Sequence, residues 1–325
     1  MSTLSTAGAA SAGTAPSRDS LLPDRIGRFA HVLAWLSLLT NMGIVVTGGV
    51  VRVSGSGLGC PTWPKCTPES LTATPEMGLH GVIEFGNRTL TGVLGVVALL
   101  MLLSVARMHR THGQVVGLSA GLLAGVVFQA VLGGITVLTE LNPWIVAAHF
   151  IASAVMIGLA AMLLLRVRAE RRHGVGGRIA DGATTGRTRG TAWAVLLTTA
   201  AVVVVGTMVT GTGPHSGDPD AARHAFDAVL ITRLHALPAY ALLGASVVLV
   251  VLTGRLAGAS AGQRGAARAL LAVVVSQALV GYWQHFTGLP VGVVMLHLIG
   301  SVLVIATATV AWQRQVSRYT VPAAA

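Results

Sequence analysis

The sequence has 325 residues, of which 53% are hydrophobic and 10% are charged, and its mean hydropathy is +0.73. Soluble domains carry about 25% charged residues, so this composition excludes an ordinary soluble fold. The formal net charge of +11 does not indicate a nucleic-acid partner, because the arginines lie between apolar runs and do not cluster with aromatic residues on a polar face. We therefore predict an integral membrane protein that contacts membrane lipid and binds no nucleic acid.

The N-terminal residues 1–27 are rich in Ser, Ala, Thr and Gly and lack the apolar centre of a signal peptide. We expect them to form a disordered cytoplasmic tail. The rest of the chain contains eight apolar runs of about 20 residues, the length that a helix needs to cross a bilayer. The predicted spans lie near 29–51, 82–106, 115–138, 143–165, 190–211, 228–252, 267–285 and 290–312. The predicted fold class is all-α integral membrane, with eight transmembrane helices.

The basic residues predict the orientation of these spans. The tails and the even-numbered loops hold 17 of the 22 Lys and Arg residues, the odd-numbered loops hold three, and Arg88 and Arg233 lie inside spans. Because positive residues favour the cytoplasmic side, both termini are predicted to be cytoplasmic, in a multi-pass protein of the cell membrane. The loop at 52–81 then faces the outside, where Cys60 and Cys66 can form a disulfide. This pair either staples a Gly- and Pro-rich loop or has a redox role.

The two halves of the sequence repeat at an offset of 148 residues. The offset superposes the third and fourth helices on the seventh and eighth without gaps, and it places Asn87 on His235. The matched residues include Gln129 with Gln277, Gly133 with Gly281, and His149 with His297. Such a repeat predicts two pseudo-symmetric four-helix bundles. The predicted domains are the bundles 28–166 and 190–313, the cytoplasmic linker 167–189 and the cytoplasmic tail 314–325.

Three histidines lie at one depth of the predicted membrane. His149, His235 and His297 are each six or seven residues from the outer end of a span, about 10 Å below the boundary. A single such histidine can simply bond a neighbouring carbonyl, but intramembrane ionisable residues tend to mark function. Imidazoles from facing helices suit the axial positions of a haem iron, whereas zinc or copper needs a cluster of more ligands. We expect haem iron to be the only metal.

Small residues near these helices either leave room for a flat macrocycle or allow close helix packing. They include Gly86, Gly133, Gly134, Gly281 and Gly300. The other histidines lie near loops or span ends, and we expect most of them to be solvated, with His80 as the exception.

Glu84 is the one carboxylate that we place inside a predicted span. It precedes Arg88 by four residues, the favourable order for an ion pair on one helix face. It also precedes Asn87 by three residues, so a carboxylate that handles protons beside a haem edge is an equally good interpretation. Arg88 and Arg233 either contact haem propionates or extend to the membrane surface.

Residues 28–312 resemble the haem A synthase family. The resemblance is carried by the Gly-Ser-Gly-Leu-Gly-Cys-Pro-Thr-Trp-Pro-Lys-Cys loop at 55–66, by the Ile-Glu-Phe-Gly-Asn-Arg stretch at 83–88 and by the spaced histidines. It implies haem b as a cofactor in the second half and haem O as the substrate in the first. It also implies two hydroxylations of one haem O methyl group to a gem-diol, which loses water to give the formyl group of haem A.

The resemblance also implies a role for individual residues. His235 and His297 match the axial pair of haem b, His149 matches a ligand of the substrate haem, and Glu84 matches the catalytic carboxylate. Cys60 and Cys66 match the external cysteine pair of the family.

The sequence departs from the family at Asn87, where the family has histidine. The second side of the substrate haem is then left to Asn87, or to His80 if the helix unwinds near Gly78 and Gly81. Otherwise His149 would bind the iron alone, which suits a transient substrate.

Two other functions fit parts of the sequence. A di-haem electron-transfer cytochrome would use the paired histidines but gives Glu84 and the cysteine loop no task. A transporter built from repeats would place its sites at the bilayer midplane, and these sites lie nearer the outer surface. For a haem A synthase, the resemblance suggests haem O synthase and terminal oxidase assembly factors as partners, and it leaves the electron acceptor open.

Overall fold

A computed structural model describes residues 25–317, so most of the predicted tails at 1–27 and 314–325 lies outside the described residues. The described part contains eight long α-helices and two short 3-10 turns at Pro75–Met77 and Ala106–Met108. The long helices are α1 (Arg28–Val53), α2 (Gly78–Val105), α3 (Gly113–Leu138), α4 (Pro143–His173), α5 (Gly186–Thr212), α6 (Ala228–Arg255), α7 (Ala261–Phe286) and α8 (Val291–Val316). All eight are long and apolar enough to cross a membrane, as predicted.

Two predicted boundaries are wrong because the helices extend beyond their apolar runs. The predicted linker 167–189 narrows to 174–185, since α4 continues to His173 and α5 begins at Gly186. The last turn of α4 carries basic side chains, which stabilise the C-terminus of a helix. The start of α5 is fixed by a capping box between Thr185 and Thr188. The predicted loop 52–81 likewise narrows to 54–77, because Arg52 and His80 lie inside helices.

The helices form two four-helix bundles, α1–α4 and α5–α8, in agreement with the internal repeat. In each bundle every helix packs against its two neighbours, while the second and fourth helices lie diagonally across the centre without direct packing. Thus α2 faces α4 across the first bundle, and α6 faces α8 across the second. The bundles meet mainly through α4 and α8, and apolar residues of α8 such as Val302 and Ile305 belong to the core of the first bundle.

One end of the molecule, here named the disulfide end, carries the connections 54–77, 139–142, 213–227 and 287–290. These connections join the two halves: the Gly57 N–H donates to the Gly217 carbonyl at 2.8 Å, and Arg52 donates to the Thr210 carbonyl at 2.7 Å. A Cβ on Gly57 would lie 3.0 Å from the Gly217 carbonyl oxygen and 2.7 Å from a Leu141 methyl group, so the absence of a side chain at Gly57 favours this close approach. The functional side chains therefore lie beneath a layer of interlocked loops.

The opposite end, here named the arginine-rich end, contains a buried polar network that the sequence did not predict. His112, expected to be solvated, is only 1% exposed, and its Nδ1 forms a short hydrogen bond with the Glu170 carboxylate. Arg166 lies 3.9 Å from the same carboxylate and donates to the Gly177 carbonyl at 3.0 Å. The helical extension of α4 creates this network, because it carries Glu170 inward beside the start of α3.

Candidate active site

Glu84 lies on the second turn of α2, beneath the disulfide loop, and is 5% exposed. Its Oε2 accepts a hydrogen bond from the Cys60 backbone N–H at 2.5 Å, and its Oε1 accepts from Arg88 at 2.5 and 3.1 Å. The predicted ion pair is therefore present. A carboxylate in an apolar bundle is expensive unless it is paired and hydrogen-bonded, and Glu84 is both.

Arg88 binds the disulfide loop as well as Glu84. Beyond its two bonds to the carboxylate, it donates to the backbone carbonyls of Cys60 at 2.7 Å, Thr62 at 2.9 Å and Lys65 at 3.2 Å. A guanidinium has five N–H donors, and these five bonds engage all of them. The structure therefore assigns Arg88 to holding the loop over Glu84, and no donor is left for a haem propionate in this arrangement.

Cys60 and Cys66 are both fully buried and form the predicted disulfide, with Cα atoms 4.4 Å apart. Trp63, which lies between the two cysteines, brings the loop into contact with α3. A Cβ on Gly134 would lie 2.4 Å from the Trp63 ring, so the glycine leaves the space that the indole ring occupies. The loop is thus fixed at three places: the disulfide, the Arg88 guanidinium and α3.

His235 and His297 lie on the diagonal helices α6 and α8 of the second bundle. Each histidine ring is bordered by a glycine of a neighbouring helix. A Cβ on Gly206 of α5 would lie 3.0 Å from Cε1 of His235, and a Cβ on Gly281 of α7 would lie 3.7 Å from Cε1 of His297. The Nδ1 atom of His297 is buried and has no hydrogen-bond partner among residues 25–317, whereas the His235 ring lies close to the Val202 carbonyl of α5.

His149 of α4 has similar surroundings in the first bundle. A Cβ on Gly133 of α3 would lie 3.3 Å from its Cε1, and its Nδ1 is likewise buried without a partner in the described chain. The residue on the diagonal helix α2, however, is Asn87, whose Oδ1 accepts a hydrogen bond from Thr47 at 2.7 Å. The first bundle therefore presents one imidazole where the second presents two.

His80 lies in the first turn of α2, with its Nδ1 2.8 Å from the Ser56 hydroxyl. Helix α2 is continuous from Gly78, so His80 and Asn87 are separated by seven residues of regular helix, about 10 Å. The unwinding that would bring His80 to the position of Asn87 is not observed.

The other glycines that the sequence analysis singled out have different neighbours. Gly133 and Gly281 face histidine rings, whereas Gly300 faces the Gln277 side chain and a Cβ on Gly86 would meet nothing within 4 Å. Arg233 is exposed on α6 and forms no hydrogen bond or ion pair within the described part of the chain. It keeps its guanidinium free.

His224, which we expected to be solvated, lies within the connection 213–227 and is only 7% exposed. It packs edge-on against Trp144 with ring centroids 4.4 Å apart, and a Cβ on Gly211 would lie 2.5 Å from its ring. Burial, and then the nearby charge of Arg52, lower the pKa of His224 below its usual value of 6.5. His224 thus fastens the second half to the start of α4 as a neutral ring.

The fold and these side chains define a multi-pass membrane protein made of two histidine-bearing four-helix bundles. Across residues 25–317, no group of three or more His, Cys, Asp or Glu side chains is arranged to hold a bare metal ion. Residues 31–309 match the family described as COX15-CtaA, cytochrome oxidase assembly protein. The chain belongs to this family.

Curated relatives share part of the sequence. A protein named Heme A synthase from Alkalihalophilus pseudofirmus is 28% identical over 45% of this chain and 50% of its own length. Proteins of the same name from Geobacillus thermodenitrificans and Exiguobacterium sibiricum are 33% and 30% identical, over 40% and 42% of this chain and 40% and 44% of their own lengths. The chain therefore spans up to about half the length of these relatives.

Proposed function

We propose that this protein is an oxidoreductase that converts haem O to haem A. One methyl group of haem O is hydroxylated twice, and the resulting gem-diol loses water to leave a formyl group. Family membership supports the proposal, and so does the name of the curated relatives. The single observation that carries it is the buried Glu84 carboxylate, which Cys60 and Arg88 hold inside the first bundle. A di-haem electron-transfer cytochrome has no evident use for such a group.

The second bundle is proposed to hold haem b between His235 and His297. The fit rests on their position on diagonal helices, on the two glycines that border the rings and on the unpartnered Nδ1 atom of His297. A neutral imidazole is a common ligand of iron, and a glycine beside each ring leaves space for a flat macrocycle. When bound, haem b would supply one-electron transfer. The polypeptide contributes two imidazoles, the space between them and the exclusion of water.

The first bundle is proposed to bind haem O as the substrate, with His149 as its protein ligand and Glu84 as the catalytic residue. Glu84 and Asn87 are three residues apart on α2 and share one helix face. Arg88 and the Cys60 N–H stabilise the carboxylate form of Glu84, which is the form that can accept a proton. The disulfide loop covers this carboxylate and keeps water away from it. Arg233, whose guanidinium is free within the described residues, lies on α6 and is a candidate for a contact to a propionate of haem b in the second bundle.

The proposed location is the cell membrane, with the arginine-rich end and both termini on the cytoplasmic side. The distribution of basic residues supports this orientation. The disulfide supports it as well, because cysteine pairs persist on the oxidising side of a membrane. Haem O synthase and terminal oxidase assembly factors are the proposed partners, since one supplies the substrate and the others receive the product.

Extraction of the pigments from the purified protein tests the proposal. A haem A synthase should carry haem O or haem A together with haem b, whereas an electron-transfer cytochrome should carry haem b alone. The variants His235→Ala and His297→Ala should each lose the low-spin haem b spectrum, because the iron then has only one axial ligand. Haem b alone in the wild-type extract would refute the activity, and an unchanged spectrum in both variants would refute the second-half site.

A further inference from the structure

Asn87 occupies the position in the first bundle that His235 occupies in the second. The offset of 148 residues relates the two directly, and both lie on the helix that faces a histidine-bearing helix across the bundle centre. A glycine also lies near each of them. A Cβ on Gly48 would lie 4.0 Å from Nδ2 of Asn87, as a Cβ on Gly206 would lie 3.0 Å from the His235 ring. The surroundings of the two positions are similar, while their side chains differ in chemistry.

The Asn87 amide is oriented by a hydrogen bond from the neighbouring helix. The Thr47 hydroxyl of α1 donates to Oδ1 of Asn87 at 2.7 Å, so the acceptor side of the amide is already in use. The Nδ2 group carries two N–H donors and makes no hydrogen bond within residues 25–317. Gly48 contributes no side chain to cover it. The amide therefore presents a free donor beside Gly48, at the position that corresponds to His235 in the repeat.

A carboxamide is not among the usual axial ligands of haem iron, which are His, Cys, Met and Tyr. His80 does not replace it, because α2 is regular between the two residues and His80 contacts Ser56. A haem bound to His149 thus keeps one open coordination position. The repeat places Asn87, a neutral hydrogen-bond donor, where the second bundle has His235.

We propose that the first bundle is a five-coordinate haem site, in which a small diatomic ligand binds the iron opposite His149 and accepts a hydrogen bond from Asn87. Thr47 is the positioning residue that turns the amide toward this ligand. The inference rests on the proposed function only in requiring haem O in the first bundle. The second bundle, with two imidazoles, is closed to such ligands.

Carbon monoxide is the probe for this site. Purified protein that contains haem b and haem O is reduced, exposed to carbon monoxide, and measured by optical difference spectra and by the C–O stretching frequency. One of the two haems should bind the gas. The variant Asn87→His should abolish binding and increase the low-spin signal, because it restores a second imidazole. His149→Ala should remove the haem that binds the gas and leave the haem b spectrum unchanged.

The hydrogen bond is tested by removing the donor without adding a ligand. Asn87→Leu should keep the binding of carbon monoxide, weaken its affinity by about two- to tenfold and raise the C–O stretching frequency, since a neutral hydrogen bond contributes modestly. Thr47→Val should shift the frequency in the same direction. Thr40→Val is the matched control, because the Thr40 hydroxyl bonds only carbonyls of its own helix, and it should match the wild type.

The outcomes separate this inference from the proposed function. Protein that carries haem O beside haem b but binds no carbon monoxide would overturn the five-coordinate site and leave the activity standing. The same holds if Asn87→His still binds the gas. An Asn87→Leu protein with wild-type affinity and frequency would overturn the role of the amide. Protein without haem O or haem A would refute the proposed function, and this inference with it.

Discussion

The backbone N–H of Cys60 donates a hydrogen bond to Oε2 of Glu84 at 2.5 Å, so a cysteine of the disulfide directly holds the buried carboxylate. Arg88 closes the same unit from the other side, because it binds the carboxylate and the carbonyl of Cys60. A change that moves the Cys60 backbone therefore also changes the hydrogen bond that its N–H donates to Glu84. This connection gives the cysteine pair a role in positioning the carboxylate that does not require electron transfer through sulfur.

The double variant Cys60→Ser/Cys66→Ser is expected to fold, retain haem b and lose much of its haem A. Opening this short covalent loop removes about 2 kcal/mol of stabilisation and loosens the Cys60 N–H that Glu84 accepts. Haem content by pigment extraction and unfolding in detergent measure the two effects. An impermeant thiol reagent should label the wild type from outside the cell only after reduction. Labelling from the cytoplasmic side alone would contradict the orientation.

Glu84→Gln is expected to fold, to keep the haem b that we propose His235 and His297 bind, and to accumulate haem O or its hydroxylated intermediate. The amide keeps an acceptor for the Cys60 N–H but cannot take up a proton. General acid–base contributions are about 10² to 10⁴-fold in rate, so the loss should be plain in a pigment extract. Glu140→Gln, the same change on an exposed carboxylate at the disulfide end, is the control. Normal haem A output from a stable Glu84→Gln protein would make the residue a structural partner of Arg88.

Arg88→Lys separates loop fixation from haem binding. Lysine has three donors in place of five, so it can keep the ion pair with Glu84 but not all the bonds to the carbonyls of Cys60, Thr62 and Lys65. We expect faster proteolysis of the loop 54–77 with unchanged affinity for haem O. Arg233→Lys, a change on α6 of the second bundle, should leave the loop intact and lower the haem b content if its guanidinium contacts a haem b propionate. A loss of haem affinity in Arg88→Lys with an intact loop would restore Arg88 as a propionate ligand.

The buried His224 should make the stability of the folded protein depend on pH. Its pKa is lowered in the folded protein by burial and by Arg52, so the unfolded chain takes up the proton more readily near the usual value of 6.5. Stability is therefore full above that value and falls as the pH decreases through it. The melting temperature of the wild type should drop more between about pH 7.5 and 5.5 than that of His224→Gln. His109→Gln, which changes an exposed histidine, should retain the wild-type slope.

Local patterns in the sequence predicted the spans, the ion pair between Glu84 and Arg88, and the disulfide. Each depends on residues close in the chain or on composition, which the sequence displays directly. The carbonyl acceptors of Arg88 were not predictable, because backbone carbonyls in a loop have no signature in residue type. The burial of His224 and His112 also escaped prediction. It depends on Trp144 and Glu170, distant residues that meet them only once the helices have packed.

The buried network at the arginine-rich end should matter for stability alone. Glu170 lies 21 residues beyond His149 on α4, about 30 Å away along the helix, so it is remote from the proposed haem sites. Glu170→Ala would leave His112 and Arg166 buried without their carboxylate, and removal of one partner from a buried hydrogen bond costs about 1 to 3 kcal/mol. We expect a large fall in the melting temperature and in protein yield. The folded fraction should keep the wild-type haem spectrum and pigment composition.

The control for this change is Glu69→Ala, which removes an exposed carboxylate from the disulfide loop and should leave the melting temperature within experimental scatter. A second variant, Glu170→Gln, retains the shape of the side chain and an acceptor for His112, so its effect should be smaller than that of alanine. A comparison of the melting temperatures of Glu170→Ala and Glu170→Gln tests whether the hydrogen bond to His112 stabilises the fold. If Glu170→Ala melted like the wild type, the short contact between His112 and Glu170 would not contribute to stability. If its haem composition changed while its melting temperature did not, the network would belong to the function of the protein, and its assignment to structure would be wrong.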